Sequence, residues 1–398
     1  MRERVNLLDP EVLAHPYPHY ARMRRDSPVC QVDPGGMWAV TRYDDLITVF
    51  KNPQLFSSEG LMRSMEPPWV GRNPLAHSLL VMDPPRHGRL RALVNRAFGP
   101  HTIARLEPFL RGTAERLMNA MLEAREVDFM LALASPLPAA AIGRLLGLEH
   151  EIDATFKRWS DDLAVVSAVP EGDIERQAQI RGSIQEMESS LQKVLERSRR
   201  EPGDDLISDL IAARVDGEAL TDAELVSFLF ILLAAGLETT TNLLGNAALM
   251  LTDHPEIQER LRIHPELIPA FVDEMLRYDP PALSTFRTTT AEVEMGGVKL
   301  PPNTLVLLLV ASGCHDEACA VDAERFVLER SEQVNLPFGH GIHFCIGASL
   351  ARLEARVGLE VLLSRTRSMS RKAEPLVWRP SLQIRGLTRL PVEVLPVG

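Results

Sequence analysis

The sequence predicts a mainly α-helical protein with a small β portion. Apolar residues recur at three- and four-residue intervals through several long stretches, as on one face of a helix. Strand-like runs are short, and Pro and Gly punctuate the chain without any repeat or Ser/Gly linker. We therefore predict a single domain, residues 1–398. The clearest helical stretches are 103–122, 204–215, 255–262 and 346–363, and the strand-like runs are 37–41, 293–306 and 382–394.

Composition limits the class of protein. The 398 residues are 45% apolar and 24% charged, which suits a folded chain with a sizeable core and argues against disorder. Lys and Arg number 43 against 54 Asp and Glu, so the net charge is −11. Nucleic acid and anionic membranes attract basic surfaces. The composition therefore favours an enzyme or a large binding domain without such partners.

The cysteines and the N-terminus suggest a compartment. Four cysteines in a chain of this length are too few and too scattered for a disulfide framework. The first residues carry charges and prolines and lack the apolar core of a signal peptide. We expect reduced thiols and a cytoplasmic location. Separately, we expect a monomer.

Segment 225–252 is apolar enough to raise the question of a membrane span. Its one charged residue, Glu238, lies mid-segment, where insertion would cost about 2.5–3.5 kcal/mol, and Asn242 and Asn246 follow. Thr221 and Glu224 form a capping-box pattern, typical of a helix that begins in water. We predict a long helix of about 42 Å inside a globular fold.

The most specific motif is F-G-H-G-I-H-F-C-I-G, from Phe338 to Gly347. Glycines before Cys345 allow a tight turn, and a periodic helix follows it. The positive end of that helix would lower the pKa of the thiol and favour a thiolate ligand. From the residues alone, Cys345 could instead be a small buried apolar side chain, or a zinc ligand with His340 and His343.

This motif resembles the cysteine-ligand loop of the cytochrome P450 superfamily, in its soluble bacterial form. The resemblance runs from residues 15–18 to 385–392 and implies the P450 fold, with a long central helix over haem and the cysteine loop on the proximal side. It also implies haem b with Cys345 as the metal ligand and His343 near a propionate. Further cofactor-binding positions implied by the loop are Phe338, Gly339 and Gly347.

The predicted central helix carries A-G-L-E-T. Glycine in mid-helix costs about 1 kcal/mol relative to alanine, and a threonine hydroxyl can bond a carbonyl one turn back. A polar stripe facing other helices would account for the pattern equally well. The segment is similar to the P450 acid–alcohol pair, which implies that Glu238 and Thr239 deliver protons while O₂ is cleaved.

Two more patterns are weak alone and gain meaning from the resemblance. His87 and Arg91 lie four apart, as on a solvated helix face, and they match the family's propionate-binding segment together with Arg287. Glu274 and Arg277 lie three apart, so they can pair on a helix. They match the family's E-x-x-R motif, whose expected third member is Arg325, in a structural network.

One segment departs from the family pattern. Residues 311–317 read A-S-G-C-H-D-E, where bacterial members usually read A-S-A-N-R-D-P. The segment is structural in the family, so the departure affects local geometry and stability rather than the chemistry. We expect Cys314 and Cys319 to have no functional role.

The resemblance implies a monooxygenase that inserts one oxygen atom from O₂ into an apolar substrate. A terpenoid, steroid, fatty acid or polyketide-like molecule would fit. Because the P450 match occupies the chain, electrons would come from an external ferredoxin or flavodoxin with its reductase. An acidic carrier could dock on the Cys345 face, near Arg352 and Arg356 and arginines of the 86–96 run. The expected substrate-lining residues are Ala234, Ala235, Leu237, Leu283 and Phe286.

Three alternatives remain open at this point. A peroxide-driven peroxygenase would keep the haem ligand, although such relatives typically lose the acid–alcohol pair. A non-catalytic haem-thiolate binding protein would change spin state on binding a ligand and form no product. A zinc hydrolase would contain metal without haem.

Overall fold

A computed structural model describes residues 4–148, 154–166, 169–332 and 334–397. It confirms the mainly α-helical fold with a small β portion. The helices are α1 Pro10–Ala14, α2 Pro16–Asp26, α3 Tyr43–Lys51, α4 Met62–Met65, α5 Arg86–Ala97, α6 Pro100–Ala104, α7 Glu107–Ala124, α8 Pro136–Leu145, α9 Ala154–Ala164, α10 Ile174–Arg200, α11 Leu206–Ala212, α12 Asp222–Asp253, α13 Pro255–Ile263, α14 Ile268–Tyr278, α15 Val310–Cys314 and α16 Ala348–Arg365. The strands are β1 Val29–Val32, β2 Met37–Val40, β3 Phe56–Ser57, β4 Glu126–Asp128, β5 Thr285–Thr289, β6 Val293–Met295, β7 Val298–Leu300, β8 Leu305–Leu308, β9 Thr366–Arg371 and β10 Pro391–Pro396.

The long central helix, α12, begins at the predicted capping box. The Thr221 backbone N–H donates to Glu224 Oε2 over 2.9 Å, and the Glu224 N–H donates to Thr221 Oγ1 over 3.3 Å. These bonds satisfy two donors that the first helical turn would otherwise leave open. By length and composition α12 could cross a membrane, but half of its most apolar window is buried within the protein. The core of a folded protein accounts for such a helix.

The chain divides into two compact units. The first contains residues 1–57, 107–137 and 239–398, and the second contains residues 58–106 and 138–238. The boundary on α12 falls between Glu238 and Thr239.

The first unit contains the sheets. Its five-stranded sheet has the order β1-β2-β8-β5-β3, in which only β2 and β8 run parallel. Strand β8 is central, and its Val306 and Leu308 are buried with Phe50 and Phe56 in one apolar core. A three-stranded sheet, β4-β10-β9, and the hairpin β6-β7 complete the β portion. Strand β5 thereby fixes Arg287 opposite Val306.

The second unit is helical. Arg89 on α5 pairs with Glu224 at the start of α12, so the capping residue of α12 also anchors α5. On α9, the indole N–H of Trp159 donates to Glu186 of α10 over 3.0 Å. Asp162 of α9 is buried, and it accepts a hydrogen bond from Ser183 and pairs with Arg176.

Two details differ from the sequence prediction. Stretch 103–122 contains the end of α6 and most of α7 instead of one helix. Pro108 has no N–H to continue a helix that runs through it, but it is well placed in the first turn of α7, where that N–H would have no partner. Of 382–394, only the residues from Pro391 onward form a strand, and Ile384 makes an isolated bridge to Ala282.

Candidate functional site

The loop before α16 turns tightly and presents Cys345. Gly339 and Gly341 have φ angles of +76° and +70°, in the region that favours glycine. A Cβ on Gly341 would lie 2.6 Å from the backbone oxygen of Phe50, so no larger residue fits there without moving the backbone. The Cys345 N–H donates to the Phe338 carbonyl over 2.9 Å, which closes the loop. Cys345 is exposed, and α16 begins three residues later.

The other three cysteines have environments that keep them as thiols. Burial raises the pKa of Cys30, raises that of Cys319 to about 12, and raises that of Cys314 well above its usual value. Cys314 is fully buried. A metal ligand must be a thiolate and must be reachable. Among the four cysteines, Cys345 is the one that is exposed at a helix N-terminus.

Two predicted cationic residues lie in the first unit with Cys345. His343 precedes the cysteine by two residues in the same loop and is half-buried. Arg287 is buried on β5, donates to the Phe286 carbonyl over 2.6 Å, and lies 5.6 Å from the centre of the Phe50 ring. Phe50 also contacts the cysteine loop through its carbonyl near Gly341. Arg287 and the loop therefore share a neighbour.

The other predicted cationic pair lies in the second unit, on α5. His87 is buried, and Arg91, one turn later, is half-buried and donates to Asn95 over 3.0 Å. Arg89 and Arg96 serve other contacts, with Glu224 and with the carbonyl of Arg214. The arginine-rich run is thus divided, since Arg86 and Arg96 are exposed while Arg89 and Arg91 are half-buried.

The polar turn of α12 interrupts a buried helix. Ala235 is exposed, and Ala234, Glu238 and Thr239 are partly exposed, whereas most of the residues before and after them are buried. Leu237 is buried within this turn. This turn of α12 thus exposes small and polar groups where an apolar helix would continue.

Close helix packing accounts for the glycine at position 236. A Cβ on Gly236 would lie 2.7 Å from the Ile142 side chain of α8. Glycine therefore permits close packing between α8 and α12 at this point.

Two expected substrate-lining residues lie in the first unit. Leu283 is buried in an apolar cluster with Val32, Leu307 and Leu309, while Phe286 is partly buried against the same cluster. Leu283 also donates its backbone N–H to Gln383 over 2.7 Å. Leu283 therefore belongs to the packed core of this unit, and Phe286 is the better exposed of the two.

The Glu274–Arg277 pair forms a buried network. Arg277 donates to both oxygens of Glu274 over 2.7 and 2.9 Å, and the two side chains are 1% and 3% exposed. The prediction that Arg325 is the third member is wrong. The Arg325 side chain is exposed, and only its carbonyl takes part in the network, by accepting a hydrogen bond from Arg277. Arg330 fills the role instead, because its Nε donates to Glu274 over 3.0 Å.

The departing segment 311–317 is well connected. His315 is buried, and its Nε2 lies 2.8 Å from the Tyr278 carbonyl. The ring stacks on Tyr17, with centroids 4.2 Å apart. The Cys314 carbonyl accepts from Arg277 over 3.0 Å, and Asp316 accepts from the N–H of Tyr43 at the start of α3. The segment thus keeps a structural role with altered side chains.

Two arginines of the expected basic docking patch are paired with carboxylates. Arg352 pairs with Asp273 over 2.6 Å. Arg356 pairs with Glu107 over 2.6 Å and with Glu360 over 3.0 Å. These carboxylates cancel the excess positive charge of Arg352 and Arg356, whereas Arg86 and Arg96 of the 86–96 run are exposed.

Glu354 is a buried acid that was not predicted from the sequence. It lies on α16 and is completely buried. The available signal was its spacing, since it follows Leu350 by four residues and precedes Val357 by three, which places an acid on the apolar face of a helix. No comparable pattern in the sequence pointed to Arg330 as a partner of Glu274.

Known proteins with similar sequence and structure are cytochromes P450. The cytochrome P450 family model matches residues 173–376. The erythromycin C-12 hydroxylase of Saccharopolyspora erythraea is 39% identical over 345 residues, covering 86% of this chain and 85% of that protein. The structure of CYP109Q5 from Chondromyces apiculatus has a TM-score of 0.89 and 41% identity, and the match covers 100% of both chains. CYP109E1 from Bacillus megaterium, solved in complex with testosterone, has a TM-score of 0.85 and 33% identity over 95% of this chain and 99% of that chain.

These matches agree with the loop geometry. P450s bind haem through a cysteine thiolate and act as oxidoreductases. One family model, a curated hydroxylase and solved structures that cover nearly the whole chain all give the same result. The chain belongs to the cytochrome P450 family, the haem-thiolate monooxygenases.

Proposed function

We propose that this P450 inserts one oxygen atom from O₂ into an apolar substrate of steroid or macrolide size, with Cys345 as the haem ligand. The single observation that carries the assignment of the ligand is the exposure of Cys345 in a glycine-shaped loop directly before α16. The rest of the proposal concerns what the neighbouring residues do.

The residues of the loop fit haem. The thiol is accessible, the helix N-terminus behind it favours the thiolate, and a thiolate is the donor that this family uses. Bound haem supplies the iron at which O₂ is reduced and cleaved. The electron-rich Cys345 thiolate favours that cleavage. A cysteine as deeply buried as Cys314 could not reach the haem iron, so the exposure of Cys345 is needed for this role.

The cationic residues would hold the two propionate groups of haem. The candidates are those that the resemblance implies: Arg287, His343, His87 and Arg91. Each can donate a charge-assisted hydrogen bond to a carboxylate. The burial of Arg287 and His87 would strengthen such bonds by excluding water.

Glu238 and Thr239 would supply protons. A carboxyl group can exchange protons with solvent, and a neighbouring hydroxyl can order a water molecule that passes them on. Their partial exposure in an otherwise buried helix supports this role. Because the pair is intact, an O₂-dependent reaction is favoured over a peroxide-driven one.

The substrate class follows from the apolar groups and the relatives. Ala234, Ala235 and Leu237 present small and apolar groups on α12, and Phe286 adds an aromatic edge. One relative is named for hydroxylation of erythromycin, and another was solved with testosterone. Large, rigid, mostly apolar ring systems are the shared chemistry of those two molecules, and we propose that class for this chain.

Electrons would come from a separate carrier, a ferredoxin or flavodoxin with its reductase. We propose that residues 1–398 form one P450 domain that works as a cytoplasmic monomer. Because Arg352 and Arg356 are paired with carboxylates, docking would rely on shape and apolar contact as well as charge.

The test is turnover with isotopically labelled O₂. The purified protein would be supplied with NADPH, a surrogate ferredoxin and reductase, and either testosterone or an erythromycin-type macrolide. We expect a product that carries one labelled oxygen atom. Product with peroxide alone, together with no product from O₂ and the reductase system, would indicate a peroxygenase. A spin-state change without product from any electron supply would indicate a binding protein.

A further inference from the structure

Segment 311–317 places a buried histidine at the junction of α2 and α14. The side chain of His315 is 1% exposed. Its ring stacks on Tyr17 of α2 with centroids 4.2 Å apart, and its centroid lies 5.4 Å from that of the Tyr278 ring on α14. Arg24, also on α2, donates to the His315 carbonyl over 3.0 Å. This residue therefore connects α2 with the end of α14.

One ring nitrogen of His315 must carry a proton. Nε2 lies 2.8 Å from the Tyr278 carbonyl oxygen, which can only accept a hydrogen bond. Tyr278 is the last residue of α14, so this carbonyl belongs to the negative end of the helix dipole. Cations are favoured in the last turn of a helix. The contact thus places a proton on Nε2 and favours a positive ring.

The other ring nitrogen faces a carboxylate. Nδ1 lies 3.4 Å from Oε2 of Glu324, within ion-pair distance, and no other described residue offers it a hydrogen bond. A neutral ring with its proton on Nε2 would turn the Nδ1 lone pair toward that carboxylate, which is repulsive in a buried site. A protonated ring would offer Nδ1–H to the carboxylate as a charge-assisted donor. The arrangement therefore suits an imidazolium.

Glu324 is suited to partner a charged ring. Its Oε1 pairs with Arg24, while its Oε2 faces His315. The contact with His315 holds the pKa of Glu324 below its usual value, and the charge of Arg24 lowers it further. Glu324 is thus a carboxylate at neutral pH. Because its side chain is 52% exposed, it also gives solvent protons a route to the buried ring.

Four other charged side chains lie near the ring, and each has a partner of its own. Arg277, whose guanidinium lies 5.7 Å from the centre of the Tyr278 ring, binds Glu274. Asp279, which follows α14, pairs with Arg385. Asp316, next in the chain, accepts from the backbone N–H at the start of α3. The carboxylate opposite Nδ1 is therefore the charge that acts on the ring most directly.

We propose that His315 makes a proton-dependent contact: as an imidazolium it joins the end of α14 to Glu324 and α2, and loss of its proton loosens α2. Deprotonation would remove the ion pair and weaken the attraction between the ring and the face of Tyr17. Bacterial members of the family usually carry arginine at this position, and arginine keeps its charge in proteins. Histidine makes the contact reversible, because it loses its charge between acid and alkaline solution.

The first test is a double-mutant cycle on the full-length haem-loaded protein, with His315→Gln, Glu324→Gln and the double variant unfolded in urea. At about pH 6 the coupling between the two residues should be about five- to tenfold in the unfolding equilibrium constant, as for a charged hydrogen bond with one half-exposed partner. At about pH 9 it should be lost, because a neutral ring has no charge to pair. No coupling at the acid pH, or equal coupling at both, would overturn the proposal.

The chain offers a matched control for this cycle. Nδ1 of His254 lies 3.1 Å from Oε1 of Glu256, and both side chains are exposed. An exposed pair contributes little to stability. The cycle of His254→Gln and Glu256→Gln should therefore show little coupling at either pH. An equal response from the exposed pair would show that pH alters the stability in general, and it would overturn the role of His315.

The second test measures the attachment of α2 by hydrogen–deuterium exchange, corrected for the effect of pH on intrinsic exchange. At the acid pH, amides of α2 should exchange several-fold faster in His315→Gln and in Glu324→Gln than in the wild type. At the alkaline pH these differences should disappear. Strand β9 is the internal control and should exchange alike in all three proteins. Equal exchange of α2 in the wild type and both variants at the acid pH would overturn the proposal.

These measurements are separable from the proposed function, because none of them requires turnover. If no substrate is oxygenated, the coupling between His315 and Glu324 and the exchange of α2 still decide the inference. If His315→Gln does not fold, the comparison of α2 exchange between the wild type and Glu324→Gln at both pH values decides it, since Glu324 is half-exposed and its replacement should be tolerated.

Discussion

Removing the Arg277 side chain should destabilise the protein far more than removing a surface arginine. All five guanidinium N–H donors are used: two bind Glu274, and three bind backbone carbonyls. The carbonyls belong to Cys314, Ala323 and Arg325. Arg277→Met removes all of these bonds while keeping much of the side-chain volume.

The magnitude follows from burial. Breaking a buried ion pair by removing one partner costs about 3–5 kcal/mol. Arg277 and Glu274 are 1% and 3% exposed, so water cannot readily replace the lost bonds. Arg330 still pairs with Glu274, so the cost should fall within that range rather than above it. Since the total stability of a protein is about 5–15 kcal/mol, the variant should fold marginally or lose haem readily.

The assay is urea unfolding of the haem-loaded protein, followed by far-ultraviolet circular dichroism and by haem absorbance. The matched control is Arg260→Ala, which removes the exposed pair with Glu329 and should cost about 0–1 kcal/mol. A loss from Arg277→Met no larger than the loss from Arg260→Ala would refute the reasoning from burial.

Three further predictions concern proton delivery, the buried Glu354 and electron transfer. Thr239→Ala should lower product per electron and release peroxide, while Thr241→Ala on the same helix should not; unchanged coupling would remove Thr239 from proton delivery. Because the pKa of Glu354 is raised in the folded state, its favourable contribution is present below the usual glutamate pKa of about 4.3 and is lost as pH rises toward the folded value, by at most about 1.4 kcal/mol per pH unit. Glu354→Gln should therefore gain stability relative to the wild type between mildly acidic and alkaline pH in urea titrations, and a pH-independent difference would contradict this. Asp273→Asn frees the charge of Arg352 and should speed reduction by an acidic ferredoxin at low salt only; an effect that is absent, or insensitive to salt, would argue for docking elsewhere.

Features encoded within a few residues could be predicted from the sequence. The capping box at Thr221 and Glu224 is local, and the structure forms both of its bonds. The Glu274–Arg277 pair is likewise fixed by helix spacing. The loop at Cys345 depends on glycines within six residues of the cysteine, so its exposure and its helix could be anticipated.

Features that depend on distant parts of the chain could not be predicted. Arg325 and Arg330 are five residues apart, and the path of the backbone decides that Arg325 offers its carbonyl while Arg330 offers its side chain. Arg356 looked like part of a basic patch, because its partner Glu107 lies 249 residues earlier. The burial of Glu354 depends on how closely α12 approaches α16, which Gly358 permits.

The most direct test of the central claim is the optical spectrum of the reduced, carbon-monoxide-bound protein. The claim is that Cys345, and not the buried Cys314, is the haem ligand. The account predicts a far red-shifted Soret band for the wild type and for Cys314→Ala, and its loss in folded Cys345→Ser. A red-shifted band that persists in Cys345→Ser, or that disappears in folded Cys314→Ala, would contradict the account.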